Sequence, residues 1–116
     1  MKYMVLIFAE EGGWAAMTPD EQTQAYGAYM AYSEALQKAG KYIAGHELQP
    51  SATAKTIAVR NSAPKVIDGP YVDIKEQLGG YYLIEATDEA DAIHWASQCP
   101  GAHHGTVELR PCMENM

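Results

Sequence analysis

From Lys2 to Ala9 the chain is almost unbroken in apolar character and rich in Tyr, Val, Ile and Phe, and no other stretch limits the fold so severely. A run of strand length without polar alternation reads as a central strand buried on both faces, so it demands cover above and below. Only 116 residues are present to supply that cover, enough for one packed core and too few for a second domain. Hydrophobic residues at 47% and charged residues at 20% suit such a globular unit, and no repeat or low-complexity tract interrupts it. The run is far shorter than the ~20 residues of a membrane-crossing helix, and Met1-Lys2 lacks the apolar core and cleavage site of a secretion signal. A cytoplasmic protein without membrane contact is expected.

Glu10-Glu11-Gly12-Gly13-Trp14 breaks the strand, and Thr18-Pro19-Asp20-Glu21 then combines three helix-start signals. These are a hydroxyl N-cap, Pro at the first helical position and Glu to close a capping box. Ala25, Tyr26, Tyr29, Met30, Ser33, Leu36 and Ala39 recur at spacings of three and four, predicting an apolar stripe on a helix of roughly six turns that Gly40 stops. Lys41 to Leu48, Ala54 to Arg60 and Lys65 to Ile67 read as an antiparallel meander, punctuated by Pro50, Asn61-Ser62 and Pro64. Asp73 to Gln77 suits one helical turn halted by Gly79-Gly80, and Tyr81 to Ala86 is the strongest later strand. Thr87 and Asp88 offer N-caps to a helix over Glu89 to Gln98, with Ala92, Ile93, Ala96 and Cys99 on its buried side and Pro100-Gly101 as its stop. Thr106 to Arg110 alternates as an edge or last strand does.

This order predicts an α+β fold on a split βαβ plan: an antiparallel sheet with two helices on one face. The other face is then apolar and uncovered. A second copy is the simplest cover, so a homodimer is expected in which two sheets pack face to face and create a cavity.

Several function classes are disfavoured. The net charge is −7 and the eight Lys and Arg residues are scattered, which does not suit a phosphate backbone, so nucleic acid is not an expected partner. Two cysteines, Cys99 and Cys112, fit reduced thiols better than a disulfide framework. Cys99, His103, His104 and Cys112 are all zinc-competent, but their spacing lacks the paired grip of a structural zinc site, so no metal is expected. No phosphate loop, dinucleotide fingerprint or nucleophile elbow is present, and no cofactor is expected.

The stretch Asp68-Gly69-Pro70-Tyr71, continuing through Lys75-Glu76-Gln77-Leu78-Gly79-Gly80 into Tyr81-Tyr82-Leu83-Ile84-Glu85-Ala86, packs turn-formers and ionisable groups ahead of that later strand. With the opening Tyr3-Met4-Val5-Leu6-Ile7 and the closing Val107-Glu108-Leu109-Arg110-Pro111, it resembles the YCII-related family, in the branch named for an Asp-Gly-Pro-Phe motif. Tyr71 stands where that branch usually has Phe, and Val72-Asp73-Ile74 replaces its usual Ala-Glu-Thr. The resemblance covers nearly the whole chain and implies a ferredoxin-like fold that pairs into a dimeric α+β barrel. It also implies an enzyme-like cleft with a His and an Asp, and an association with sigma factors of the extracytoplasmic-function type. Asp68 is the residue it marks as the acid.

Candidate site residues follow. Asp68, at the lip of its turn, would serve as general acid or base in an apolar cleft, with Lys75 and Glu76 as charged neighbours. The equally simple role is a turn-former with a surface ion pair. His46, at the end of a strand, would pair with Asp68 across the meander. Tyr29, Tyr71, Tyr81 and Tyr82 would line a binding cavity, although aromatics at such spacings usually serve the core. Arg110, before Pro111, would hold a carboxylate or close a salt bridge at a dimer rim. Two functions remain open: a cofactor-independent small-molecule enzyme using Asp68 and His46, or a non-catalytic binding or regulatory module whose partner is a ligand or a sigma factor.

Overall fold

The apolar run becomes an inner strand of a four-stranded antiparallel sheet in the computed structural model, which describes residues 1–114. The chain runs β1 (Lys2–Glu10), α1 (Gly12–Ala16), α2 (Pro19–Lys38), β2 (Tyr42–Glu47), β3 (Lys55–Arg60), β4 (Ala63–Asp68), β5 (Glu76–Glu85), α3 (Glu89–Ser97), α4 (Gly101–His104) and β6 (Thr106–Pro111), with a 3-10 turn at Ser51–Thr53. The sheet order is β2-β5-β1-β6. Units β1-α2-β2 and β5-α3-β6 are thus two split βαβ crossovers, each straddling a strand of the other, which is the ferredoxin-like arrangement.

Helix α2 forms where its signals stand. Thr18 Oγ1 accepts from the Glu21 amide at 3.2 Å, and Glu21 Oε1 accepts from the Thr18 amide at 2.9 Å, completing the capping box behind Pro19. At the other end Gly40, with φ of 72°, lets the Lys41 amide reach the Leu36 carbonyl at 2.9 Å and its own amide reach that of Gln37 at 3.0 Å, a Schellman stop. The buried stripe is rotated from the expected one: Tyr32 and Leu36 are buried, while Tyr26 and Met30 are exposed. On α3, Ala92, Ala96 and the following Cys99 are buried as expected, but Ile93 is exposed. These side chains close over Tyr3, Val5 and Ile7 of β1 and Tyr82 and Ile84 of β5. Each fully buried aliphatic side chain here stabilises the fold by about 1.5–3 kcal/mol.

Four expectations are corrected. Within one chain β1 is buried on a single face, since Met4, Leu6 and Phe8 alternate with the core residues and remain only half-covered. The meander does not form: β2 pairs with β5, because its inner residues Tyr42 and Gly45 must pack beside Tyr82, and β3 pairs with β4 alone. Asp73 to Gln77 makes no helical turn; β5 already starts at Glu76, and Gly79-Gly80 lie inside it at a β-bulge opposite Ile7 and Phe8. Glycine is needed there, since a Cβ on Gly80 would lie 3.1 Å from the His46 carbonyl oxygen. Pro64 lies within β4, where a two-stranded ribbon with a free edge on each strand accepts it.

The β3–β4 ribbon leaves the sheet as an arm, turning at Asn61 (φ 52°) and Ser62 (φ 64°), the double left-handed geometry of a tight hairpin. The arm makes the molecule large for its mass. The radius of gyration is 16.1 Å, against about 13 Å for a compact chain of this length. Its accessible surface is 8150 Å², against roughly 6,200 Å² for a compact monomer of this mass.

Ser62 carries a Cβ in a left-handed conformation that costs about 1 kcal/mol. Ser62→Gly should therefore raise the thermal midpoint by about 4 °C. An unchanged or lowered midpoint in differential scanning calorimetry would show that the turn is not strained.

Candidate functional site

Beyond the bulge, the inner face of the sheet is no longer sealed by helix side chains, and a cavity of about 550 Å³ opens there. Ile7 and Ala9 of β1 and Gln77 to Tyr82 of β5 form its floor. Trp14 of α1 and Tyr26, Tyr29 and Ser33 of α2 form one wall, and Tyr42 with Gly45 to Pro50 the other. The Gly12-Gly13 break positions α1 to bring Trp14 over the mouth, where Gln22 Nε2 donates to its carbonyl at 3.0 Å and its ring meets Tyr26 edge-on at 4.9 Å. A missing side chain makes the room. A Cβ on Gly45 would sit 2.9 Å from the Tyr82 ring, so only glycine lets that phenol occupy the cavity floor.

The polar groups inside are hydroxyls. Ser33 Oγ and Tyr82 Oη share a hydrogen bond of 2.8 Å. Burial, with the neighbouring Cys99, Tyr82 and Glu47 acting in the same direction, pushes the Tyr29 phenol up to about 12. Burial likewise raises Tyr82 and the Cys99 thiol. At neutral pH these groups are uncharged and can offer a ligand hydrogen bonds but no negative charge. At the edge strand, His46 Nδ1 lies 2.8 Å from Tyr81 Oη, a contact set by the pairing of His46 with Tyr81 across β2 and β5. Carboxylates stand at the rim: Glu47, and Glu11, which accepts from the Ser51 amide at 2.7 Å and from the Ser51 hydroxyl. Those two bonds hold Glu11 below the usual carboxylate range. A second, shallower groove of about 430 Å³ lies between α2 and the α3–α4 corner, lined by Ala28, Ala31, Tyr32 and Ala35 on one side and Gln98, Pro100, His103 and His104 on the other, but it is broadly open. The deeper, half-enclosed cavity with converging hydroxyls is the better site.

The structure gathers His46, Tyr29, Tyr81 and Tyr82 around one cavity and leaves the other candidates outside it. Asp68 ends β4 on the arm, with its side chain 83% exposed and paired to Lys55 Nζ at 2.5 Å. Its expected pairing with His46 does not form, because the arm diverges from the sheet that carries His46. Tyr71 is 87% exposed. Lys75 pairs with Glu10 at 3.3 Å and Glu76 accepts from Thr106 at 3.3 Å, so neither adjoins Asp68. Arg110 pairs with Glu108 at 2.6 Å within β6, on the uncovered sheet face. Both cysteines are free thiols, and among the described residues no group of three or more His, Cys, Asp or Glu could hold a metal ion. No helix among them is long and apolar enough to cross a membrane. Trp14, Tyr42, Gly45 and Ser33 were not anticipated as site residues. Ser33 alone had a signal, as a hydroxyl in an otherwise apolar helical stripe.

Fold and site together define a ferredoxin-like α+β protein with a hydroxyl-lined cavity at one end of its sheet. The YCII-related domain model matches residues 1–115, and the chain belongs to that family. It is 30% identical over 113 residues to an uncharacterized protein of Rhizobium meliloti (strain 1021), a match covering 96% of this chain and 91% of the relative. Among solved structures it resembles 5-chloro-2-hydroxyhydroquinone dehydrochlorinase of Burkholderia phenoliruptrix, in complex with 2,5-dihydroxybenzoquinone. That likeness has a TM-score of 0.56 at 16% identity and covers 97% of this chain and 94% of the neighbour.

The phenol of Tyr29 ties stability to alkaline pH. An unfolded tyrosine ionises near its ordinary value of 10.0, whereas the folded Tyr29 holds its proton to about 12. Unfolding therefore releases the proton first, and stability present below pH 10 is lost as pH rises from 10 to 12. Urea midpoints across this window should fall less steeply in Tyr29→Phe than in the parent. Equal slopes would place Tyr29 in water.

Proposed function

We propose that the protein is a cofactor-independent enzyme acting on a small hydroxylated ring compound bound in the 550 Å³ cavity. The observation that carries this reading is the convergence of the neutral phenols of Tyr29 and Tyr82 with the Ser33 hydroxyl on one half-enclosed, largely aromatic space, with the His46–Tyr81 pair at its rim on the other face of the sheet. Aromatic walls select a flat apolar body, and the Tyr82–Ser33 pair with Tyr29 would meet its hydroxyl or carbonyl groups. The proton carrier in this reading is His46, which stands at the rim on the edge strand and would serve a ligand group that extends over that edge, with Nδ1 engaged by Tyr81 and Nε2 left to take or deliver a proton. The structural neighbour's bound dihydroxybenzoquinone is a ligand of the size and character that this cavity would accept. Asp68 is left as an arm residue in this scheme.

The test uses 2,5-dihydroxybenzoquinone and simple dihydroxybenzenes as probes in calorimetric titration. Tyr82→Phe should weaken binding about two- to tenfold, the usual worth of one hydrogen bond. His46→Gln should leave affinity within about threefold while removing turnover, because the imidazole handles protons rather than binding energy. Binding by the parent without any turnover would favour a ligand-binding module instead, and no binding of any probe would sink both.

We also propose that the protein works as a homodimer in which two copies lay their half-covered sheet faces together. Met4, Leu6, Phe8 and Leu83 support this pairing, since they form an apolar patch that one chain leaves open to water. Leu6→Asp should shift the sedimentation mass toward the monomer at micromolar concentration. A parent protein that is monomeric there would retire the pairing.

A further inference from the structure

The lining of the cavity carries negative charge and no permanent positive charge. Glu10, Glu11 and Glu47 stand around it, and neither lysine nor arginine is among its lining residues. Two of these carboxylates are occupied within the chain: Glu10 pairs with Lys75 at 3.3 Å, and Glu11 accepts from the Ser51 amide and hydroxyl. Glu47 pairs with no cation of the chain among the described residues. Its place follows from the register of β2. Gly45 and Glu47 alternate onto one face of the strand, Gly45 opposite Tyr82 and Glu47 opposite Gly80, so Glu47 shares the inner face with the phenol of the cavity floor. The glycine across the ladder offers it no side chain. After burial, Cys99 and Tyr82, Glu47 is the next influence that keeps the Tyr29 proton in place, so its charge is felt inside the cavity.

We propose that the cavity selects organic cations, with Glu47 receiving the ammonium group of a phenolic arylalkylamine whose ring lies among the tyrosines. The proposal rests on the reading that this cavity holds a hydroxylated ring, and it adds the charge of the group which that ring carries. A carboxylate without a partner and an ammonium group form a charge-assisted hydrogen bond, roughly twice as strong as a neutral one. The walls act in the same direction. Trp14 and Tyr26 at the mouth are 40% and 50% exposed, so the electron-rich faces of an indole and a phenol are open to an ammonium group near Glu47.

The same lining discriminates against acids. A carboxylate or phenolate ligand would leave water without meeting a counter-charge, and Glu47 would repel it. The chain's net charge of −7 extends this preference to the encounter, drawing cations toward the protein and turning anions away. The ligand is thereby divided in two. Its ring hydroxyls meet the Tyr82–Ser33 pair and Tyr29 at the floor, where only neutral groups are offered, and its tail runs to the β2 rim. Glu47 is a specificity determinant in this arrangement, because it holds the tail and leaves the ring to the hydroxyls.

Three probes that share one ring and differ in the charge of the tail decide it: dopamine, 4-ethylcatechol and 3,4-dihydroxyphenylacetate, the cation, the neutral compound and the anion. In calorimetric titration of the parent protein at low salt, the amine should bind at least about tenfold more tightly than 4-ethylcatechol, and the acid at least about tenfold more weakly. High salt should narrow both ratios. Glu47→Gln should bring the amine to within about threefold of 4-ethylcatechol. Because Glu47 is exposed and pairs with no cation of the chain, that variant should melt within about 2 °C of the parent. A parent that binds 4-ethylcatechol as tightly as the amine would overturn the charge preference alone and leave the ring reading standing. A Glu47→Gln protein that keeps the parent's ratio, or a Glu10→Gln or Glu11→Gln protein that loses it, would overturn the role given to Glu47. No binding of any of the three would overturn the ring reading and this inference with it.

Discussion

The pairing of β1 with β5 across the middle of the sheet is the constraint on which everything else depends. Val5 faces Tyr82 and Tyr3 faces Ile84 in one register, and all four are buried beneath α2 and α3. A slip of one residue would turn that whole set outward, so the register is strongly specified. The bulge between Ile7 and Phe8 is the one place where it changes phase, and the cavity begins there. The interruption that relaxes the core also makes the space in which a ligand could sit.

The electrostatic character of that space follows from its walls. Aromatic rings from α1, α2, β2 and β5 line it, and burial holds the phenols of Tyr29 and Tyr82 in their neutral form. Such a site does not present a nucleophile. It presents neutral hydrogen-bonding hydroxyls between aromatic walls, with one imidazole at the rim. The two units of the fold are tied at the opposite end by Lys41, at the start of β2, whose Nζ lies 2.7 Å from Asp91 of α3. That end is closed by packing and an ion pair, while the bulged end opens into the cavity.

The flatness of the molecule, 48 by 43 by 18 Å, has a physical meaning. Helices cover one face of the sheet, and on the other Met4, Leu6 and Phe8 stay only half-covered within the chain. The arm adds exposed surface of two kinds, with Ile57, Val59 and Val66 on one face of the ribbon and Arg60 and Lys65 on the other.

Local signals in the sequence determined the elements. The Thr18 capping box, the Gly40 stop, the Asp88 cap and the apolar run at Lys2 to Ala9 all act within a few residues of themselves, and each stands in the structure where the letters place it. The order of strands and helices was likewise enough to name the split βαβ plan, because short connections and crossover rules leave few alternatives. What the letters could not decide was which strand lies beside which side chain. Asp68 and His46 look like neighbours along a meander, yet tertiary packing sends β2 to β5 and carries Asp68 away on the arm, since Gly45 must lie against Tyr82. Tyr81, 35 residues away in sequence, became the partner of His46 through the β2–β5 register. Sites assembled from such distant contacts carry no local signal, and the cavity emerged only when the whole sheet was closed.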